Sequence, residues 1–420
     1  MKDSQRTQRI ELMAPAGNFE SLQAALDNGA DSVYFGVEQL NMRARASMNF
    51  TLNDLSEIVR RCEEKKVRTY LTLNTIIYDH DLSVVKNLVK KAKQAHVTAV
   101  IAMDQAVISI ARSIGMEVHI STQINVTNIE TVKFYALFAD TMVLSRELSL
   151  RQVKNITDQI RREQIKGPSG RLVEIEVFGH GALCMAVSGK CYMSLHAHNS
   201  SANRGACKQN CRKKYTVIEQ ESGFELELDN EYIMSPKDLC TIDILDQVKE
   251  AGVRVLKLEG RGRAPEYVAK VVRCYRQALD DLTLGVYNKD KVVAWMKELE
   301  TVYNRGFWTG YYLGQKLGEW SKGSGSHATQ KKVYVGKGLH FYPKVKIGEF
   351  KVEAYDISIG DTLLVTGPTT GAKELILEEM YVNDQKKDKG SKGDSITIPL
   401  NFRIRPSDKL YNIVMNKTES

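Results

Sequence analysis

Glu11-Leu-Met-Ala14, closed by Pro15 and Gly17, and then Ser32-Val-Tyr-Phe35 are two short apolar runs with a helical stretch between them. Asn18 stands where a helix N-cap belongs, Leu22, Ala25 and Leu26 recur at helical spacing, and Gly29 stops the helix. The unit repeats. Helices are predicted near 52–64, 82–95, 106–114, 129–138 and 150–162, and strands near 67–73, 99–103, 117–121, 141–144 and 173–178. Strands alternating with helices of this length specify parallel βαβ units. Residues 180–240 interrupt the series, which resumes with a helix near 242–251 and an eighth strand at 253–258. Eight such strands over about 260 residues predict a (β/α)8 TIM-like barrel, in preference to an open doubly wound sheet.

Two further helices are expected near 264–282 and 289–303, followed by the flexible stretch Ser321-Lys-Gly-Ser-Gly-Ser-His327. The period then changes to short runs separated by Gly, Asp and Pro, such as Val333-Tyr-Val335, Thr362-Leu-Leu-Val365 and Ser395-Ile-Thr-Ile398. Residues 1–285 are therefore expected to form the barrel with its cysteine-rich insertion at 180–240. Residues 286–332 form a helical extension and linker, and residues 333–420 a small all-β barrel. A hairpin pairing 215–219 with 224–228 is predicted inside the insertion, and a mobile basic loop at 385–393.

The chain has 420 residues, a formal charge of +8 and 43% apolar residues. Its mean hydropathy is −0.31. That excludes a disordered or collagenous chain, and no apolar run reaches the roughly 18 residues of a membrane helix. Met1 to Arg9 is polar without an apolar core, so no signal peptide is expected and a cytoplasmic location follows. No Asp or Glu occurs from Gly181 to Ile218, whereas Lys190, Arg204, Lys208, Arg212, Lys213 and Lys214 do. Four of the seven cysteines, Cys184, Cys191, Cys207 and Cys211, fall in this stretch, and Cys240 follows. Cys62 and Cys274 lie on helical faces as buried thiols. Five clustered cysteines in a chain without a secretion signal favour thiolate ligation of a metal over disulfides. The spacing leaves structural zinc and an iron–sulfur cluster both open.

Glu176-Val-Phe-Gly-His-Gly-Ala-Leu-Cys184, continuing to Cys191-Tyr-Met-Ser194, resembles the signature of the collagenase-like peptidase family 32, the U32 family. Asn203-Arg-Gly-Ala-Cys207, Ser235-Pro-Lys-Asp-Leu-Cys240, Leu12-Met-Ala-Pro-Ala-Gly17, Leu256-Lys-Leu-Glu-Gly-Arg261 and Asn304-Arg-Gly-Phe-Trp-Thr-Gly310 resemble its other blocks. The resemblance spans essentially the whole chain. It implies a [4Fe–4S] cluster held by Cys184, Cys191, Cys207 and Cys240, with Cys211 able to substitute. A single barrel followed by a small β-domain is similar to the tRNA hydroxylation subgroup. This implies formation of 5-hydroxyuridine at the wobble position, with prephenate as cosubstrate and the tRNA anticodon loop as partner. Lys386–Lys392 and Arg403 with Arg405 fit an RNA footprint. The family name implies a peptidase instead, although the sequence contains neither G-x-S-x-G nor H-E-x-x-H. A non-catalytic RNA-binding or maturation factor with a structural metal site is the third reading.

Barrel enzymes carry their sites at the C-terminal ends of the strands. Those ends are Asn74, Asp104, Gln123, Arg146 with Glu147, His180, and Glu259 with Arg261. Arg146 and Arg261 suit a small anionic cosubstrate, held by bidentate pairing. Glu147 and Glu259 are the candidate acid and base.

Overall fold

The computed structural model describes residues 9–44, 49–216 and 232–416. Its first sheet contains β1 (Glu11–Pro15), β2 (Ser32–Phe35), β3 (Arg68–Leu73), β4 (Ala99–Ala102), β5 (Glu117–Ile120), β6 (Thr141–Val143), β7 (Glu174–Gly181), β8 (Asp238–Cys240), β9 (Val255–Leu258) and β10 (Phe307–Trp308). Strands β1 to β7 pair in order and in parallel, and β9 pairs in parallel with both β7 and β1. That double pairing closes an eight-stranded parallel barrel. Several helices between the strands start at side-chain caps: Asn18 Oδ1 accepts from Ser21 N at 2.8 Å, Asp104 Oδ1 from Ala106 N at 2.9 Å and Asn128 Oδ1 from Thr131 N at 2.9 Å.

The strands are buried on both faces, as parallel strands covered by helices must be. Met13, Tyr34, Tyr70, Ala99, Ile101 and Val255 pack together inside the barrel, apart from the larger core between strands and helices. A buried ion pair lies within: Lys257 Nζ donates to Glu176 Oε1 at 2.9 Å and stands 4.5 Å from the centre of the Tyr34 ring.

Two strands of this sheet were not legible in the sequence. β7 overshoots the barrel, and β8 returns antiparallel to it, with His180 opposite Cys240, while β10 lies parallel to β8. The insertion therefore leaves and rejoins the barrel at its C-terminal rim. Gly181 has φ +105°, and a Cβ there would lie 2.6 Å from Glu259 O, so this corner needs glycine. The hairpin predicted at 215–228 falls largely on residues outside the described ones.

The C-terminal segment contains β11 (Gln330–Tyr342), β12 (Ile347–Val352), β13 (Ile357–Ser358), β14 (Thr362–Gly367), β15 (Gly371–Ile376), β16 (Tyr381–Val382), β17 (Gln385–Lys386), β18 (Lys389–Gly390), β19 (Ser395–Pro399) and β20 (Lys409–Met415). The sheet order is β15-β14-β20-β11-β12-β19-β16-β17, with β13 and β18 forming a separate pair. The expected second barrel is thus corrected to an open sheet, because β15 and β17 do not meet. Edge strand β15 sits against the helix Phe19–Asp27 instead. A Cβ on Gly371 would lie 3.0 Å from Ala24 N, and Lys373 pairs with Asp27 at 2.8 Å and Glu374 with Lys270 at 3.1 Å. The basic stretch at 385–393 is no free loop either: it forms β17 and β18, and Lys386 pairs with Glu379 and Lys389 with Asp356, both at 2.9 Å. No described helix is long and apolar enough to cross a membrane.

Candidate active site

The cysteine segment is seated on the C-terminal mouth of the barrel. Arg204 donates to Ile76 O at 2.7 Å and to Asp81 Oδ2 at 2.6 Å, and Arg212 donates to Leu183 O at 2.6 Å. Gly205 has φ +77°, and a Cβ would lie 2.1 Å from Asn41 O, so the segment approaches the rim backbone directly.

Beneath it, Glu259 and Arg261 follow β9. Glu259 accepts from Arg43 Nη2 at 2.9 Å and from Ala182 N at 3.3 Å. Burial pushes its carboxyl up, but Arg43, Arg263 and Arg146 outweigh burial and hold it below the usual range. It is an ionised, engaged counterion. Arg261 is 6% exposed and donates to Asn41 Oδ1 at 3.1 Å and Thr72 Oγ1 at 2.8 Å. Burial pushes its guanidinium down to about 10. Asp104 caps a helix and accepts from Ile77 N at 3.0 Å, and Asn74 Nδ2 donates to Gln123 Oε1 at 3.4 Å. These residues hold the rim together.

A cavity of about 260 Å³ opens beside them, between the loops after β5 and β6 and the segments that follow β7 and β10. Ser145 and Arg146 are placed by β6, whose extension bridges to the preceding loop through Ser145 N donating to Val126 O at 2.9 Å. Ser145 Oγ, itself buried, donates to the exposed Glu147 carboxylate. Arg146 lies 4.3 Å above the Phe178 ring and donates to Ala182 O at 3.1 Å. Trp308, Tyr311 and Trp320 form an aromatic wall, and Cys184 and Val187 line the insertion side. The structure therefore gathers Arg146 and Glu147 around one cavity and leaves Glu259 engaged with Arg43, and Arg261 with Asn41 and Thr72, at the barrel mouth. Ser145 and the aromatic wall escaped the sequence reading. The recurrence of Trp308, Tyr311 and Trp320 beyond the last helix was the available signal.

His180 is buried among Tyr267, Tyr275 and Phe307, and burial lowers its pKa to about 3. A histidine held neutral in the fold but protonated in the unfolded chain stabilises fully above the unfolded value of about 6.5. That stability is lost as pH falls from about 6.5 towards 3. His180→Phe is expected to flatten this part of the stability curve, measured by urea unfolding at pH 7, 5 and 4. A parallel curve in the variant would show that His180 does not drive the acid sensitivity.

The cysteines do not assemble as the resemblance implies. Cys240 faces inward, with Sγ 3.6 Å from Tyr275 Oη and 3.7 Å from Met296 Sδ, and burial pushes its thiol up to about 12. Cys211 is also raised, first by burial and then by Cys184, Cys207 and Cys191. Cys211 therefore lies within electrostatic reach of the other three, and Cys240 is not among them. Among the described residues, no group of three or more His, Cys, Asp or Glu is placed to hold a metal ion. The expected [4Fe–4S] site of Cys184, Cys191, Cys207 and Cys240, with Cys211 as substitute, is corrected accordingly. Cys240 packs instead against Tyr275 and Met296. Under native conditions a thiol reagent is expected to modify Cys184 first, then the partly exposed Cys191, Cys207 and Cys211, while the buried Cys62, Cys240 and Cys274 react only on unfolding. Peptide mass mapping checks the order, and early labelling of Cys240 would contradict the packing of β8.

Residues 17–322 match the model of peptidase family U32. The chain belongs to peptidase family U32. A collagenase of Porphyromonas gingivalis is 52% identical to this U32 chain over 402 residues, covering 96% of this chain and 97% of that protein. A second collagenase of Porphyromonas gingivalis is 48% identical over 358 residues, covering 85% and 98%. The tRNA hydroxylation protein P1 of Bacillus subtilis is 32% identical over 329 residues, covering 75% of each chain. The expected placement of this U32 chain in the tRNA hydroxylation subgroup is therefore corrected: the collagenases match more closely, the first of them nearly end to end. With that placement and the metal site gone, the reading as a cluster-dependent tRNA uridine hydroxylase is withdrawn.

Proposed function

We propose that this U32 chain is a peptidase that hydrolyses polypeptide amide bonds at the cavity beside Ser145, Arg146 and Glu147. The carrying observation is the 52% identity, almost end to end, with a protein named collagenase. The cavity supplies groups suited to the reaction. The Glu147 carboxylate, steadied by the Ser145 hydroxyl, takes a proton from water as the water oxygen bonds to the scissile carbonyl carbon. Arg146 faces the oxygen that gains charge. The C–N bond then breaks, and Glu147 returns its proton to the departing amine. Cys184 lines the same cavity with an exposed thiol. Replacing it with Ser separates a thiol nucleophile from the carboxylate route, which keeps its rate.

The test is the appearance of new amino groups when the purified chain is incubated with gelatin, since any amide cleavage yields one amine. Release that scales with enzyme and vanishes on mutation of the cavity supports the reading. A chain that releases none from gelatin or from a peptide library overturns it.

A further inference from the structure

The cavity has a side that the proposed hydrolysis does not use. Ser145, Arg146 and Glu147 hold its reacting side, and the rest of its lining among the described residues carries no charge. Leu183, Met185 and Val187 come from the insertion, and Trp308, Tyr311 and Trp320 form the aromatic wall. Met185 and Val187 are 44% and 46% exposed, large apolar side chains left open to water along the site.

The wall is fixed by the chain itself. Trp308 Nε1 already donates to Lys237 O at 3.1 Å, so the indole has only apolar surface left to offer. Its ring meets Tyr311 edge-on, with centroids 5.3 Å apart. Trp320 is bridged antiparallel to Pro236, flanked by Lys237 N donating to Glu319 O at 2.9 Å and Ser321 N donating to Ser235 O at 2.7 Å. Gly318 leaves a gap in this wall. A Cβ there would lie 3.4 Å from Tyr311 Oη and 3.7 Å from Trp320, in ordinary van der Waals contact, and the backbone is outside the left-handed region. A larger side chain at this position would grow along the two rings that line the cavity.

A volume of about 260 Å³ lies at the small end of ligand pockets, which run from roughly 300 to 1,000 Å³. It has room for one large residue and not for a length of chain. A charged side chain entering the uncharged side would lose its water and meet no counterion. An apolar one gains by burial, and an aromatic ring also packs edge to face on the wall. In the proposed hydrolysis Arg146 faces the scissile carbonyl oxygen. The carbon next to that carbonyl bears the side chain, so one residue reaches both sides of the cavity.

We infer that the aromatic wall is a specificity pocket for a bulky apolar side chain, Phe or Leu, on the residue that supplies the scissile carbonyl. The inference rests on the peptidase reading and narrows its substrate to polypeptides that present such a residue.

Peptides identical except for Phe, Leu, Ala, Lys or Asp at one central position are digested with the full chain, and the products are identified by mass. In parallel, N-acetyl-L-phenylalaninol and N-acetyl-L-alaninol, which carry the side chain but no carbonyl after it, are titrated by tryptophan fluorescence and calorimetry. Cleavage after Phe and Leu is expected to exceed cleavage after Ala by about tenfold or more in kcat/KM, with Lys and Asp slower still. The phenylalaninol should bind about tenfold more tightly than the alaninol. Gly318→Leu, which fills the pocket, should lower both Phe-over-Ala ratios by about tenfold, and the milder Gly318→Ala should lower them less. Each ratio is read within one variant, so a general loss of active protein does not imitate the effect. Equal rates at all five residues, faster cleavage after Lys or Asp, or ratios that survive both substitutions overturn the inference and leave the peptidase reading intact. If no peptide is cleaved but the phenylalaninol is preferred and Gly318→Leu removes the preference, the pocket stands and the peptidase reading falls. Neither cleavage nor a binding preference overturns both.

Discussion

Glu147→Gln is expected to lower amino-group release from gelatin by roughly 10²–10⁴-fold, the usual weight of a positioned general base. The amide keeps the size of the carboxyl group and accepts a hydrogen bond from Ser145, but it cannot take a proton from water. Glu147 is exposed, so its loss should leave the unfolding free energy within about 0.5 kcal/mol of the parent. That separates a chemical defect from a folding one. Ser145→Ala removes only the hydroxyl that orients Glu147, and its effect should be smaller. If Glu147→Gln hydrolyses gelatin at the parental rate, the reacting centre lies elsewhere.

The largest effect on stability is expected inside the barrel. Glu176→Ala leaves the Lys257 ammonium, 6% exposed, without its carboxylate. Burial already pushes the Lys257 amine down, and Glu176 is what opposes that push. Breaking a buried pair by removing one partner costs about 3–5 kcal/mol, a large share of the 5–15 kcal/mol that holds a domain together. Replacing both, as Glu176→Leu with Lys257→Met, should restore most of the loss, because the desolvation of both charges disappears with them. Denaturant midpoints for the single and double variants give the comparison. A single variant as stable as the parent would mean that water reaches Lys257 through the barrel.

The barrel was legible because each strand–helix unit carries its own punctuation, such as Asn18 and Gly29 around the first helix. Strands β8 and β10, with three and two residues, carry no periodicity to read. The C-terminal runs revealed strands but not closure. Whether β15 meets β17 depends on tertiary partners, and β15 is taken by the helix Phe19–Asp27. Arg146 and Glu147 were legible because barrels put polar residues at strand ends. The rest of the cavity comes from the turn at 122–125 and from residues 308–320, which meet only after folding. The family resemblance implied a ligand set, but a motif carries no record of which way a thiol faces, and Cys240 faces the core.

The barrel closes through β9, which joins β1 on one side and β7 on the other. During synthesis the ribosome releases seven of its strands and the entire cysteine segment before residue 255 exists. Until then β1 and β7 are open edges, competent to pair with any passing strand. The seam joins residues about 240 positions apart, a contact of high order that forms slowly. Nascent chains paused just short of Val255 are thus the form of this protein most exposed to aggregation.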